Sequence, residues 1–207
     1  MKYEWRKLEK ARYLPKTTPV ILDVPAQRFV SLHGTGNPNT NPAFQAQVQA
    51  LYAAAYGIKM TFKKTATGDL PYNDYVVFPL EGVWSLTSKG QQLDHLDKNE
   101  FSYDLMIRVP DFVPTDLINS VLATVQAKPD VPLAQDLGLK RFAAMQAAEV
   151  LHVGRYDDEP ASFAKIDQLV AERGLTRVSK VHREIYLSDA RRVAPERLRT
   201  VLRYQVQ

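Results

Sequence analysis

The chain has 207 residues, 45% hydrophobic and 10% aromatic, which is enough apolar material to bury a sizeable core and excludes a disordered chain. It contains no cysteine, so disulfides, thiolate zinc centres, iron–sulfur clusters and cysteine nucleophiles are excluded. Its 27 Lys and Arg exceed 23 Asp and Glu for a formal charge of +4, but the two signs are interspersed, as on a solvated surface rather than a nucleic-acid face.

Met1 to Lys16 alternates Lys, Glu and Arg without the apolar run of a secretory signal, and no later stretch is long or apolar enough to span a bilayer. The expectation is a soluble, cytoplasmic protein that engages neither membrane nor nucleic acid. The segment to about Gln27 is a proline-punctuated arm, too short for a helix-turn-helix reader with its wing. Arg28 to His33 predicts a short strand, followed by the turn-rich run Gly34 to Asn41. Asn41 supplies an N-cap and Pro42 the first position of a helix whose Phe44, Val48, Leu51, Tyr52 and Ala55 share a face, with Gly57 as its end. Met60 to Lys64 and Asp74 to Leu86 predict strands, as does Phe101 to Val109, where Tyr103, Leu105 and Ile107 alternate with Asp104, Met106 and Arg108.

Thr115 is the predicted cap of a second helix with the stripe Leu117, Ile118, Val121, Leu122 and Val125, stopped at Lys128-Pro129-Asp130. Leu139 to Met145 and Ala147 to Tyr156 predict extended chain, and Asp157 to Pro160 a turn into a helix that buries Phe163, Ile166, Leu169 and Val170 and ends at Gly174. Val178 to Ser188 predicts a strand, Ala194 to Leu198 at most a helical turn, and Thr200 to Val206 a terminal strand. The order strand, helix, strand, strand thus occurs twice, in halves at about 20–112 and 139–207 joined by a helical connector at about 114–128. Leu32-His33 and Leu151-His152 each close a strand, with Phe44 and Phe163 following at the same distance. The expected fold class is α+β, two pseudo-symmetric modules with antiparallel sheets around a central ligand cleft in a single domain, since neither half alone buries much apolar area.

Candidate site residues sit on the strands. In Val181 to Leu187 the two-residue period puts His182, Glu184 and Tyr186 on one face and Val181, Ile185 and Leu187 on the other. A carboxylate in mid-strand between rings is costly to bury unless paired or protonated, which favours a functional reading of Glu184. Phe78 to Trp84 is a parallel feature, with Glu81 in a comparable place and Gly82 open to close approach; Tyr75, Phe78, Trp84 and Tyr103 are available to line the same groove. For Phe78 and Tyr103 an ordinary core role is an equal alternative. His33, His95, His152 and His182 show no metal-ligand spacing, Gly34-Thr35-Gly36 lacks the rest of a phosphate-binding loop, and no Gly-x-Ser-x-Gly elbow occurs, so neither metal nor cofactor is expected.

Four motifs, Pro79 to Trp84, Leu105 to Phe112, Leu151 to Pro160 and Glu184 to Asp189, in this order resemble the stand-alone GyrI-like small-molecule-binding proteins, over about Pro19 to Gln207. The resemblance implies the fold of effector domains of multidrug-responsive transcription activators, in which a glutamate matching Glu184 sits at the cleft floor and meets cationic or planar aromatic ligands. It further implies kinship with a subgroup that hydrolyses cyclopropane rings in DNA-alkylating natural products and so protects the cell. Ser85, directly after Trp84, departs from the second aromatic expected in this group.

On that resemblance the ligand is a planar aromatic or hydrophobic small molecule. Glu184 is the candidate general base, Tyr186 or Tyr103 the donor to the developing oxyanion, and Trp84 a stacking surface; Glu81 assists or positions water. Two further readings use the same residues or fold: a non-catalytic drug-sequestering or effector-sensing protein, and an inhibitor of DNA gyrase.

Overall fold

The computed structural model describes residues 2–67 and 72–207. In chain order the elements are α1 (Trp5–Leu8), α2 (Lys10–Tyr13), β1 (Val20–Val24), β2 (Gln27–Thr35), α3 (Pro42–Thr65), β3 (Leu80–Leu86), β4 (Phe101–Val109), α4 (Thr115–Gln126), β5 (Gly138–Phe142), β6 (Met145–Val153), α5 (Glu159–Glu172), β7 (His182–Tyr186) and β8 (Arg199–Gln205). The fold class is α+β, as the residue pattern predicts, and every strand pairing described is antiparallel. The order strand, helix, strand, strand appears as β2, α3, β3, β4 and again as β6, α5, β7, β8. Two compact units emerge, one from Met1–Glu4, Gln27–Phe78 and Ser85–Phe142, the other from Trp5–Ala26, Pro79–Trp84 and Ala143–Gln207.

In the first unit β2 lies between β4 and β5, and α3 packs on β2, β4 and α4. The Asn41 side chain accepts from the Ala43 N–H at 2.9 Å, the predicted cap. The helix it opens overruns the expected end, however, because Met60 to Lys64 is its last turn and not a strand. Gly57 is a packing residue rather than a terminator: a Cβ there would stand 3.1 Å from Val121 Cγ1 of α4. Ile58 and Phe62 carry the apolar stripe onward past it, both fully buried. Two further expectations are corrected here. Only Leu80–Leu86 of the 74–86 stretch is strand, and α4 has Pro114 at its N-cap, with no side-chain cap bond.

In the second unit the strands lie in the order β1, β6, β8, β7, β3. One face is covered by α5, whose Ile166 and Val170 join Ala148, Val150, Leu202, Tyr204 and Val206 in an apolar core, with Phe163 packed against it. Gly174, at φ +67°, ends that helix as predicted. The strand expected over 178–188 contracts to His182–Tyr186. The opposite face meets the N-terminal arm, where α2 buries Tyr13 and the Tyr13 hydroxyl donates to Glu81 at 3.2 Å.

Candidate functional site

Register decides which side chains meet on the α5 face of the second unit. Gly82 stands opposite Glu184 and Trp84 opposite His182, while Glu184 and Tyr186 stand opposite Leu202 and Thr200. Alternation then puts His182, Glu184, Tyr186, Gly82 and Trp84 on one side. Glu184 is 8% exposed, and its carboxylate is held at both oxygens: His182 Nε2 is 3.0 Å from Oε1, and the Tyr186 hydroxyl donates to Oε2 at 2.8 Å. The Trp84 indole donates to the same Tyr186 oxygen at 2.8 Å. Indole N–H can only donate, so the one phenolic hydrogen of Tyr186 points to Glu184.

This relay requires Gly82. A Cβ at that position would lie 2.6 Å from Trp84 Nε1 and 3.1 Å from the Tyr186 hydroxyl. Rings enclose the carboxylate further: Phe163 meets His182 edge-on at 4.9 Å between centroids, and Tyr156 meets Tyr186 at 6.1 Å and 89°. Solvent reaches the cluster past Tyr156, 38% exposed, and His182, whose side chain is 21% exposed. Arg177 lies over Tyr204 at 4.1 Å and over Phe163 at 5.6 Å, backing the aromatic wall.

A second carboxyl completes the group. Glu159, the first residue of α5, is buried, and its Oε1 makes no hydrogen bond among the described residues. Its pKa is pushed up to about 10, by burial first and then by the charges of Glu184 and Asp157. The helix N-terminus favours a carboxylate by roughly 0.3–1 kcal/mol, less than the about 1.36 kcal/mol that one pKa unit represents. Burial therefore wins, and Glu159 is a neutral acid at neutral pH. The same surroundings keep the phenols protonated: burial and then Glu184 push Tyr156 up to about 12 and raise Tyr186 well above its ordinary value.

Of the residues singled out from sequence, His182, Glu184, Tyr186 and Trp84 come together. Glu81 does not join them, although it is next to Gly82 on β3. It faces the opposite side, where Tyr13 and Arg183 hold it, the Arg183 guanidinium at 3.6 Å. Tyr75, Phe78 and Tyr103 belong to the first unit. There Tyr75 packs edge-on against Phe112 at 5.9 Å, Arg108 lies 4.8 Å over Phe78, and Tyr103 meets Phe44 at 5.8 Å with Gly34 against its ring. Among the described residues no group of three or more His, Asp or Glu side chains could hold a metal ion.

Glu159 and Tyr156 are the site residues that strand reasoning passes over. The signal for Glu159 was the helical period: Glu159, Phe163, Ile166 and Val170 are spaced as one stripe, so the stripe that buries Phe163 also buries an acid. His152, next to the last residue of β6, is satisfied by Ser162 and the Arg155 carbonyl, both at 2.9 Å.

No curated protein sequence matches the chain. Among solved structures it is similar to a hydrolase from Listeria innocua, at 32% identity over 99% of this chain and all of that one, with a TM-score of 0.84. A further Listeria innocua hydrolase structure is 34% identical over the full length of both chains, with a TM-score of 0.86. The C-terminal domain of EcmrR, at 12% identity over 91% of this chain and 96% of that one, shares the fold with a TM-score of 0.51. Matched over residues 17–207, the chain belongs to the GyrI-like small molecule binding domain family.

Proposed function

We propose that this GyrI-like protein is a ring-opening hydrolase of planar, cyclopropane-bearing DNA-alkylating compounds, with Glu184 as the general base. The observation that carries the reading is the buried Glu184 carboxylate, oriented at both oxygens by His182 and Tyr186 and ringed by Trp84, Tyr156 and Phe163. Similarity at 32–34% identity to Listeria innocua proteins described as hydrolases supports it.

A cyclopropane fused to a conjugated dienone is opened when water attacks the ring CH2. The C–C bond breaks, its electron pair moves into the ring system, and the dienone oxygen becomes a phenol once protonated. Glu184 takes a proton from the attacking water. Because its hydrogen is committed to Glu184, Tyr186 orients the base and does not serve the oxyanion. The aromatic surround excludes bulk water and accepts a flat substrate.

The test is loss of dienone absorbance on incubating the purified protein with a cyclopropyl-dienone alkylator, beside Glu184→Gln and a no-protein blank. The expected result is turnover that Glu184→Gln lowers by about 10²-fold or more, with aromatic ligand binding largely intact. A mutant near the wild-type rate would remove Glu184 from the chemistry. Saturable binding without turnover by the wild type would assign the same residues to a sequestering or sensing protein, the reading that the family's small-molecule binding favours.

A further inference from the structure

We propose that Glu159 is the general acid of this site, the group that protonates the dienone oxygen while Glu184 takes the proton of water. The assignment rests on the hydrolase reading above and deepens it. Three observations carry it. The carboxyl is nine-tenths buried, yet its Oε1 finds no hydrogen-bond partner among the described residues. It is the first residue of α5, at a helix end whose N-cap, Asp158, makes no side-chain cap bond. The groups that face it are acids and phenols: Glu184, held by His182 and Tyr186 on β7, and Tyr156 and Asp157 on the turn before α5.

A buried carboxyl in such company keeps its proton, and an O–H without an acceptor is poised for a ligand oxygen that brings one. A carbonyl or dienone oxygen fits that requirement. The step balances within the pair. Glu184 gains the proton of water as the C–O bond forms, Glu159 loses its own to the oxygen that receives the electron pair, and the net change is addition of one water. Transfer of the Glu184 proton to Glu159 restores the starting state without an outside acid. This division of labour between two coupled carboxyls also explains why one is hydrogen-bonded as an acceptor at both oxygens and the other is not.

Glu159→Gln keeps the shape and an N–H donor but cannot give up a proton. Single-turnover dienone loss from about pH 6 to about pH 10 is expected to fall about 10²-fold in Glu159→Gln, to lose its alkaline limb, and to leave alkylator affinity within about threefold. In parallel, infrared spectra at neutral pH should show the carbonyl stretch of a protonated carboxylic acid in wild type and Glu184→Gln, and not in Glu159→Gln. A Glu159→Gln rate and pH profile matching the wild type, or no such band in the wild type, overturns the assignment while leaving Glu184 as base. A wild type that shows the band but no turnover overturns the hydrolase reading, and the acid role falls with it.

Discussion

A carboxyl that is neutral in the fold and ionised in the unfolded chain makes stability depend on pH, and Glu159 is such a group. Its pKa rises from 4.5 to about 10 on folding, so between those values the folded chain holds a proton that the unfolded chain releases. Stability from this group is therefore greatest below about pH 4.5 and declines as pH rises toward 10. Glu159→Gln removes the decline. Denaturant titrations of both proteins should show the variant gaining on the wild type by about 1.4 kcal/mol per pH unit between about pH 5 and about pH 8. Parallel pH profiles would mean that Glu159 ionises in the fold. Residue identity in the sequence went part of the way here. Glu184 stood out because an acid flanked by rings on a strand is conspicuous, whereas Glu159 is inconspicuous beside Asp157 and Asp158 in a turn. Only the direction of the α5 stripe separates the buried acid from its exposed neighbours.

At the scale of the element, β3 and β7 hold the site through register. Gly82 is opposite Glu184, and the missing side chain leaves the space in which the Trp84 indole reaches Tyr186. Gly82→Ala is expected to push those two groups apart, costing about 1–3 kcal/mol of stability and freeing the Glu184 carboxylate from its phenol. If the protein is the hydrolase proposed above, the signature is a loss of turnover that exceeds the loss of stability. It would be read by comparing rates well below the melting transition, with tryptophan fluorescence in a Trp5→Phe background reporting the change around Trp84. Strand periods were legible in the sequence for β4, β7 and β8 because each alternates, β2 was legible only as a short β-type run, and the Asn41 cap and the Gly174 stop were legible too. The end of α3 was not. Glycine marks a helix end and also a close helix crossing, and only the neighbouring helix, here α4 with Val121, distinguishes the two.

At the scale of the whole chain, the face opposite the site bears a buried ionic row that ties together segments far apart in sequence. Glu149, Arg203 and Arg183 stand opposite one another on β6, β8 and β7. Arg203 bonds Glu149 through Nε and Nη2, each at 2.7 Å, and also donates to the Arg12 carbonyl, while Glu81 is shared by Tyr13 and Arg183. The sequence hinted at Glu81 but hid its direction, because adjacent residues on a strand face opposite ways and the choice depends on partners at positions 13 and 183. The same alternation makes the row matter for function, since β7 sends Arg183 into the ionic row and Glu184 into the site. A slip of one residue would exchange them, burying Arg183 under α5 away from Glu81 and placing Glu184 opposite Arg203 on β8. The row thus favours one register, and its stability consequence can be separated from simple attraction. Arg203→Met alone leaves Glu149 buried without its cation and should cost about 3–5 kcal/mol. Adding Glu149→Leu removes the stranded charge, so the double variant should recover most of that loss in denaturant midpoint. If the double variant is as unstable as the single one, the Arg203 contribution lies in its contact with the Arg12 carbonyl, and the N-terminal arm, not charge compensation, is what it secures.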